Sequence, residues 1–165
     1  MKKFYFIPAI IALACIFVSC SMSKEAKGYR TKINGNWQLQ TVVTEGIVLA
    51  SQTKAELLNE ADLQCFVGSS WNFENKTSLG SYTINQNGGE CASLKRNIRW
   101  SIYEANGEPK LFQFKKVDNR YKVMEEGNAG YRFTILQLDN TTMKLRSDVT
   151  FEGKPASFIY NFIRH

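Results

Sequence analysis

The stretch NWQLQTVV, Asn36–Val43, sets Trp37, Leu39, Thr41 and Val43 on one face and Gln38, Gln40 and Val42 on the other. A period of two is the pattern of a strand with one buried side. The same period returns in SSWNF (Ser69–Phe73), SYTIN (Ser81–Asn85), NIRWSIY (Asn97–Tyr103) and LFQFK (Leu111–Lys115). It continues in GYRFTILQL (Gly130–Leu138), TMKLRSDVTF (Thr142–Phe151) and SFIYNF (Ser157–Phe162). About eight strands are therefore expected in one all-β domain.

The separators are turn-rich: ENKTSLG after Phe73, NGE around Gly107, EGNAG around Gly127, LDNTT around Asn140 and EGKP around Gly153. Short connections of this kind join sequential antiparallel strands. An open up-and-down sheet leaves two unpaired edges, and closure removes them, so a barrel is favoured. A two-sheet sandwich satisfies the same alternation. One stretch, TKAELLNEAD (Thr53–Asp62), has helical character, with Thr53 and Glu56 at capping-box spacing before Leu57, Leu58 and Ala61. It predicts one short helix between the first two strands.

Working outward, the chain opens with Lys2 and Lys3, then an uncharged run Phe4–Val18, FYFIPAIIALACIFV, then Ser19 and Cys20. This has the form of an export signal, being shorter than the ~20 apolar residues that span a bilayer. Its end, FVSC, resembles the bacterial lipoprotein box. That resemblance implies cleavage before Cys20 and acyl chains, palmitate among them, on the cysteine and its new amine. An ordinary cleaved signal with a coincidental cysteine is the alternative. Residues 1–19 are then a signal peptide, and 20–32, with the polar SMSKEAKGYRTK, a lipidated flexible tether. Residues 33–165 are the folded domain. No retention signal follows Cys20, which favours the outer membrane over the inner and places the soluble domain in the periplasm or at the cell surface.

Of four cysteines, Cys15 falls in the leader and Cys20 takes lipid, leaving Cys65 and Cys91. In an oxidising compartment the two are expected to pair. They flank the hairpin built from SSWNF and SYTIN. If both lie in that ladder, its centre falls at Ser78, with Trp71 near Asn85 and Phe73 near Thr83.

The 165 residues carry a formal charge of +6, 44% hydrophobic and 13% aromatic residues. Lys and Arg are dispersed among Asp and Glu, so no basic stripe points to nucleic acid. The single histidine is the terminal His165, which disfavours Ser-His-Asp or Cys-His catalysis and histidine-bound metal. Adjacent Glu125 and Glu126 sit in a turn and read as solvated. A non-enzymatic monomer without cofactors is expected.

The conjunction of GNW (Gly35–Trp37), a helical stretch, a disulfide-flanked hairpin, ILQLDNTTMKLR (Ile135–Arg146) and FIYNFIR (Phe158–Arg164) resembles the bacterial lipocalin-like lipoproteins. The resemblance implies an up-and-down barrel with Trp37 at its closed end and a basic residue across it, Arg164 or Arg146. AGYRFT lacks the aspartate of that family's second motif, Thr-Asp-Tyr. An apolar or amphipathic small molecule is the implied ligand. Its candidate cavity residues are Trp71, Phe73, Tyr82, Trp100, Phe112, Phe114, Tyr131, Phe133 and Tyr160, which equally satisfy a filled core. The alternative function is a protein- or glycan-interaction module, with NQNGGE (Asn85–Glu90) and MEEGNAG (Met124–Gly130) as contact loops.

Overall fold

The computed structural model describes residues 22–47, 55–85, 91–104, 110–124, 127, 129–151 and 153–165. The signal peptide, Cys20, Thr53, Gly107 and the Glu125–Glu126 pair lie outside the described residues.

Eight strands close into one antiparallel barrel: β1 (Gly35–Glu45), β4 (Ser70–Glu74), β5 (Leu79–Ile84), β6 (Leu94–Tyr103), β7 (Leu111–Val117), β8 (Tyr131–Leu138), β9 (Thr142–Phe151) and β10 (Lys154–Arg164). Each pairs with the next in sequence, and β1 closes the ring against β10. The alternating runs put their apolar face inside. Ile98, Trp100 and Ile102 of β6 are buried, as are Phe112 and Phe114 of β7 and Phe158, Tyr160 and Phe162 of β10.

In β1 the alternation does not run straight through. The register with β10 shifts between Leu39 and Thr41, a bulge at Gln40. One extra residue reverses every later side chain, so Val42 is half-buried while Val43, predicted to share the inner face, is 50% exposed.

Three local expectations are corrected. The hairpin of β4 and β5 sets Trp71 opposite Tyr82 and Phe73 opposite Gly80, not Asn85 and Thr83. The cysteines do not set the register, because Cys65 lies in a helical turn outside the ladder, and the tight turn carries Ser78 at φ 60°. The helix between the first two barrel strands is α2 (Leu63–Phe66), capped by the Asp62 side chain on the Gln64 amide. The described part of the segment expected to be helical, 55–62, is instead a miniature hairpin of β2 (Glu56–Leu57) and β3 (Ala61–Asp62). Leu58 and Asn59, both at positive φ, make its turn.

The third correction concerns the expected tether. Lys24–Ile33 is a helix, α1, capped by the Ser23 hydroxyl on the Ala26 amide. Ala26 and Ile33 are fully buried against the barrel. Met22 and Tyr29, partly buried, also pack on the core, and polar bonds hold the rest. Arg30 donates to Asn75 and to the Ser78 hydroxyl and lies 4.7 Å over the Trp100 ring, while Ser23 bonds Glu104.

Candidate functional site

The barrel has a closed end and a mouth, and its chemistry divides accordingly. At the closed end the Trp37 indole donates to the Ile33 carbonyl at 2.7 Å, and the Arg164 guanidinium lies 4.3 Å from the ring centroid. Arg164 also donates to the carbonyls of Asn140, Asn34 and Lys32. Gly35 makes room for this: its φ is +121°, and a Cβ there would meet an Arg164 nitrogen at 2.6 Å. Arg146, the other candidate for this contact, is engaged instead with Asp148.

Above this seal the interior is packed with rings. Phe114 stacks on Phe133 at 5.7 Å, Tyr160 meets Phe133 edge-on at 5.3 Å, and Phe73 meets Phe112 at 5.3 Å. The void left among them is about 10 Å³, roughly one water molecule. Trp71, Phe73, Phe112, Phe114, Phe133 and Tyr160 line it, together with Leu58 and Phe66 from the segment between β1 and β4. Trp100 does not reach it, because its indole turns to the Leu79 carbonyl at the closed end. Burial pushes the Tyr160 hydroxyl up to about 12 against the opposing effect of its Ser147 bond, so it is a neutral partner at any physiological pH.

Tyr82 and Tyr131 belong to the mouth, where the sheet turns polar side chains inward. Arg96 sits opposite Tyr82 in the register of β5 and β6, and Lys116 follows Phe114 on the inner face of β7. These groups converge on the tip of the miniature hairpin. The Glu60 carboxylate accepts from the Tyr82 hydroxyl at 2.5 Å, from Arg96 Nε at 2.5 Å and from Lys116 Nζ at 3.2 Å. The Leu58 carbonyl accepts from Lys116 Nζ at 3.0 Å and from the Tyr131 hydroxyl at 2.8 Å.

Burial alone raises the Glu60 carboxyl, but the bonds from Tyr82 and Arg96 and the Lys116 charge reverse that and hold it below the ordinary glutamate value. Burial lowers the Lys116 ammonium, and its Tyr131 and Glu60 partners outweigh this and raise it. Burial, followed by the Glu60 carboxylate, drives the Tyr82 hydroxyl far above its usual range. All three therefore keep the protonation states that the bonds require. Arg96, Lys116 and Glu60 were not singled out from the sequence, although extending the parity of Ile98 and Trp100 back to Arg96, and of Phe112 and Phe114 on to Lys116, points both cations inward.

Cys65 and Cys91 form a disulfide, with Cα atoms 5.5 Å apart, that ties α2 to the loop before β6. The segment over the mouth is thus fastened covalently on one side and by polar contacts at its tip. A separate recess of about 830 Å³ lies on the outer wall, with Arg99, Ser101, Gln113, Lys115 and Arg132 in its lining.

Residues 33–145 match the family model described as a Lipocalin-like domain. No curated protein matches the chain. Among solved structures, a lipocalin-like protein from Bacteroides uniformis is 14% identical with a TM-score of 0.46, over 81% of this chain and 99% of that one. A bovine odorant binding protein, solved with a selenium-containing odorant, is 9% identical with a TM-score of 0.42, over 88% of this chain and 78% of that one. With that family match spanning more than half its length, and with its closed eight-stranded barrel, the chain belongs to the lipocalin-like domain family.

Proposed function

We propose that this protein is a cell-envelope lipoprotein that takes a small apolar or amphipathic molecule into its barrel through the mouth, and that the conformation described is the closed one. The carrying observation is the plug. Residues 57–60 cover the mouth through Glu60 and Leu58, and their partners are side chains that the barrel strands turn inward. A core meant only to be filled needs no buried Lys116 and Glu60, since burying charges costs more than burying apolar residues of similar size. A void of about 10 Å³ admits no ligand, so uptake requires the hairpin to move.

Acyl chains on Cys20 fit the same picture. α1 begins at Lys24 and packs on the closed end, which turns that end toward the bilayer and the mouth away from it. Titration with hydrophobic molecules, followed by intrinsic fluorescence, tests the binding. Saturable micromolar binding is expected, and none across a broad set of apolar and amphipathic molecules overturns it. Cys20→Ser tests the anchor: the protein should move from the membrane fraction to the soluble one and lose palmitate labelling.

The second reading, a filled barrel that binds a protein or glycan on its outside, rests on the outer recess with Arg99, Lys115 and Arg132. A partner bound there is lost on reversing those charges and is indifferent to changes at the mouth.

A further inference from the structure

In the bonds that join the described plug to the mouth, the barrel donates and the hairpin tip accepts. Tyr82 stands on β5, Arg96 on β6, Lys116 on β7 and Tyr131 on β8. Against them the tip presents one carboxylate, that of Glu60, and one carbonyl, that of Leu58. Behind this polar layer the Leu58 side chain lines the residual void among the rings, and Leu57 is buried beside it in sequence. An apolar group directed into the barrel, with a carboxylate held at its rim, is the outline of an amphipathic carboxylic acid.

From this placement we infer that Glu60 is an internal surrogate for the head group of the ligand, and that the barrel takes medium-chain acyl carboxylates in competition with its own plug. The inference rests on the proposed binding function and names the ligand class for it. Removal of the tip leaves Tyr82, Arg96 and Lys116 facing the mouth without their carboxylate. Tyr82 and Lys116 are buried, and a buried donor that loses an acceptor is costly, which selects an entering molecule able to replace the carboxylate. Arg96 and Tyr82 engage the two different oxygens of Glu60, so the cluster fits a two-oxygen anion rather than a hydroxyl. The chain of such a ligand takes the place of Leu57 and Leu58, whose combined apolar bulk is close to that of an octyl chain.

The hairpin is also built to leave. Leu58 and Asn59 hold φ of 55° and 53°, a left-handed conformation that a side chain such as that of Leu58 disfavours. The bonds received by the Leu58 carbonyl and Glu60 offset that strain only while the tip is docked.

The test is calorimetric titration of the wild type, Glu60→Ala and Glu60→Gln with sodium octanoate and with 1-octanol. Wild-type protein should bind octanoate less tightly than the unplugged variant because its plug competes. Glu60→Ala should bind octanoate at least about tenfold tighter, as expected when the competent state becomes populated. It should also prefer octanoate over octanol by a similar factor. Arg96→Met added to Glu60→Ala should remove most of that preference while octanol affinity stays the same. If Glu60→Ala binds acid and alcohol alike, or no tighter than wild type, the surrogate role is overturned while the binding function stands. If neither molecule binds any form, including Glu60→Gln with a wild-type circular dichroism spectrum, the surrogate role is overturned, and the broad titration of apolar and amphipathic molecules decides the binding function separately.

Discussion

The guanidinium of Arg164 lies 4.3 Å from the centre of the Trp37 ring, at the end of β10 and the start of β1, and thereby closes both the ring of strands and the floor of the barrel. The same side chain serves three carbonyls, those of Lys32, Asn34 and Asn140. It joins the C-terminal end of α1, the first strand and the turn before β9. Arg164→Met should cost about 2 kcal/mol, from the lost cation–π contact and the charged hydrogen bonds together. Arg164→Lys should recover less than half of that, since an ammonium cannot span three carbonyls around a ring face. Gly35→Ala should destabilise comparably by pushing Arg164 away. Urea denaturation measures all three, and a loss below about 0.5 kcal/mol for Arg164→Met contradicts the sealing role.

The Cys65–Cys91 bond closes a loop with a sequence separation of 26. On the chain-entropy account such a loop contributes about 3 to 4 kcal/mol. A Cys65→Ala/Cys91→Ala protein should lose that stability. Because α2 follows the plug directly, it should also show faster amide exchange over residues 55–63 than over the barrel strands. Uniform acceleration across the whole molecule means that the bond stabilises the barrel without restraining the plug.

Acid should open the mouth. The groups facing Glu60 are Tyr82, Arg96 and Lys116, and together they hold its carboxyl below the ordinary value near 4.3. A carboxyl lowered on docking contributes its stabilisation in full above that value. The contribution is lost as the pH falls through the lowered one, so the plug should stay docked at neutrality and loosen below about pH 4. Trp71, stacked 4.6 Å from Tyr82, reports on the mouth, and its fluorescence should change in that range before the barrel unfolds. Glu60→Gln should remove this early transition. An unchanged acid titration in that variant assigns the event to another carboxyl.

The barrel was legible in the sequence because each strand buries one face and a period of two survives almost everywhere. It broke where single residues bulged, at Gln40 in β1 and at Leu136 in β8, events that leave no mark on composition. α1 was missed because it carries little apolar pattern: Ala26 and Ile33 are its buried contacts, and Arg30 and Ser23 do the holding. The plug was misread for the opposite reason. Adjacent leucines after a capping-box spacing resemble a helix start, and nothing local announces that Leu58 adopts a left-handed conformation, since the barrel donors around its carbonyl supply the reason. Arg96 and Lys116 were legible by parity, but a rule that expects apolar residues inside passes over charged ones.

The aromatic residues proposed for the cavity separate into those that fill the interior and those that hold its ends, and substitution should divide them. Phe133 is 5% exposed and packs on Phe112, Phe114 and Tyr160. In an interior this full, Phe133→Ala should cost about 3 to 5 kcal/mol and leave a cavity lined by rings. Such a dry cavity binds small apolar molecules, so benzene should raise the melting temperature of Phe133→Ala and leave that of the wild type unchanged. Trp100→Phe should lose the Leu79 bond and the Arg30 contact, destabilise the protein, and leave benzene without effect. A loss below about 1 kcal/mol for Phe133→Ala, with benzene stabilising the wild type equally, indicates an interior already hollow and a ligand site that exists without movement of the plug.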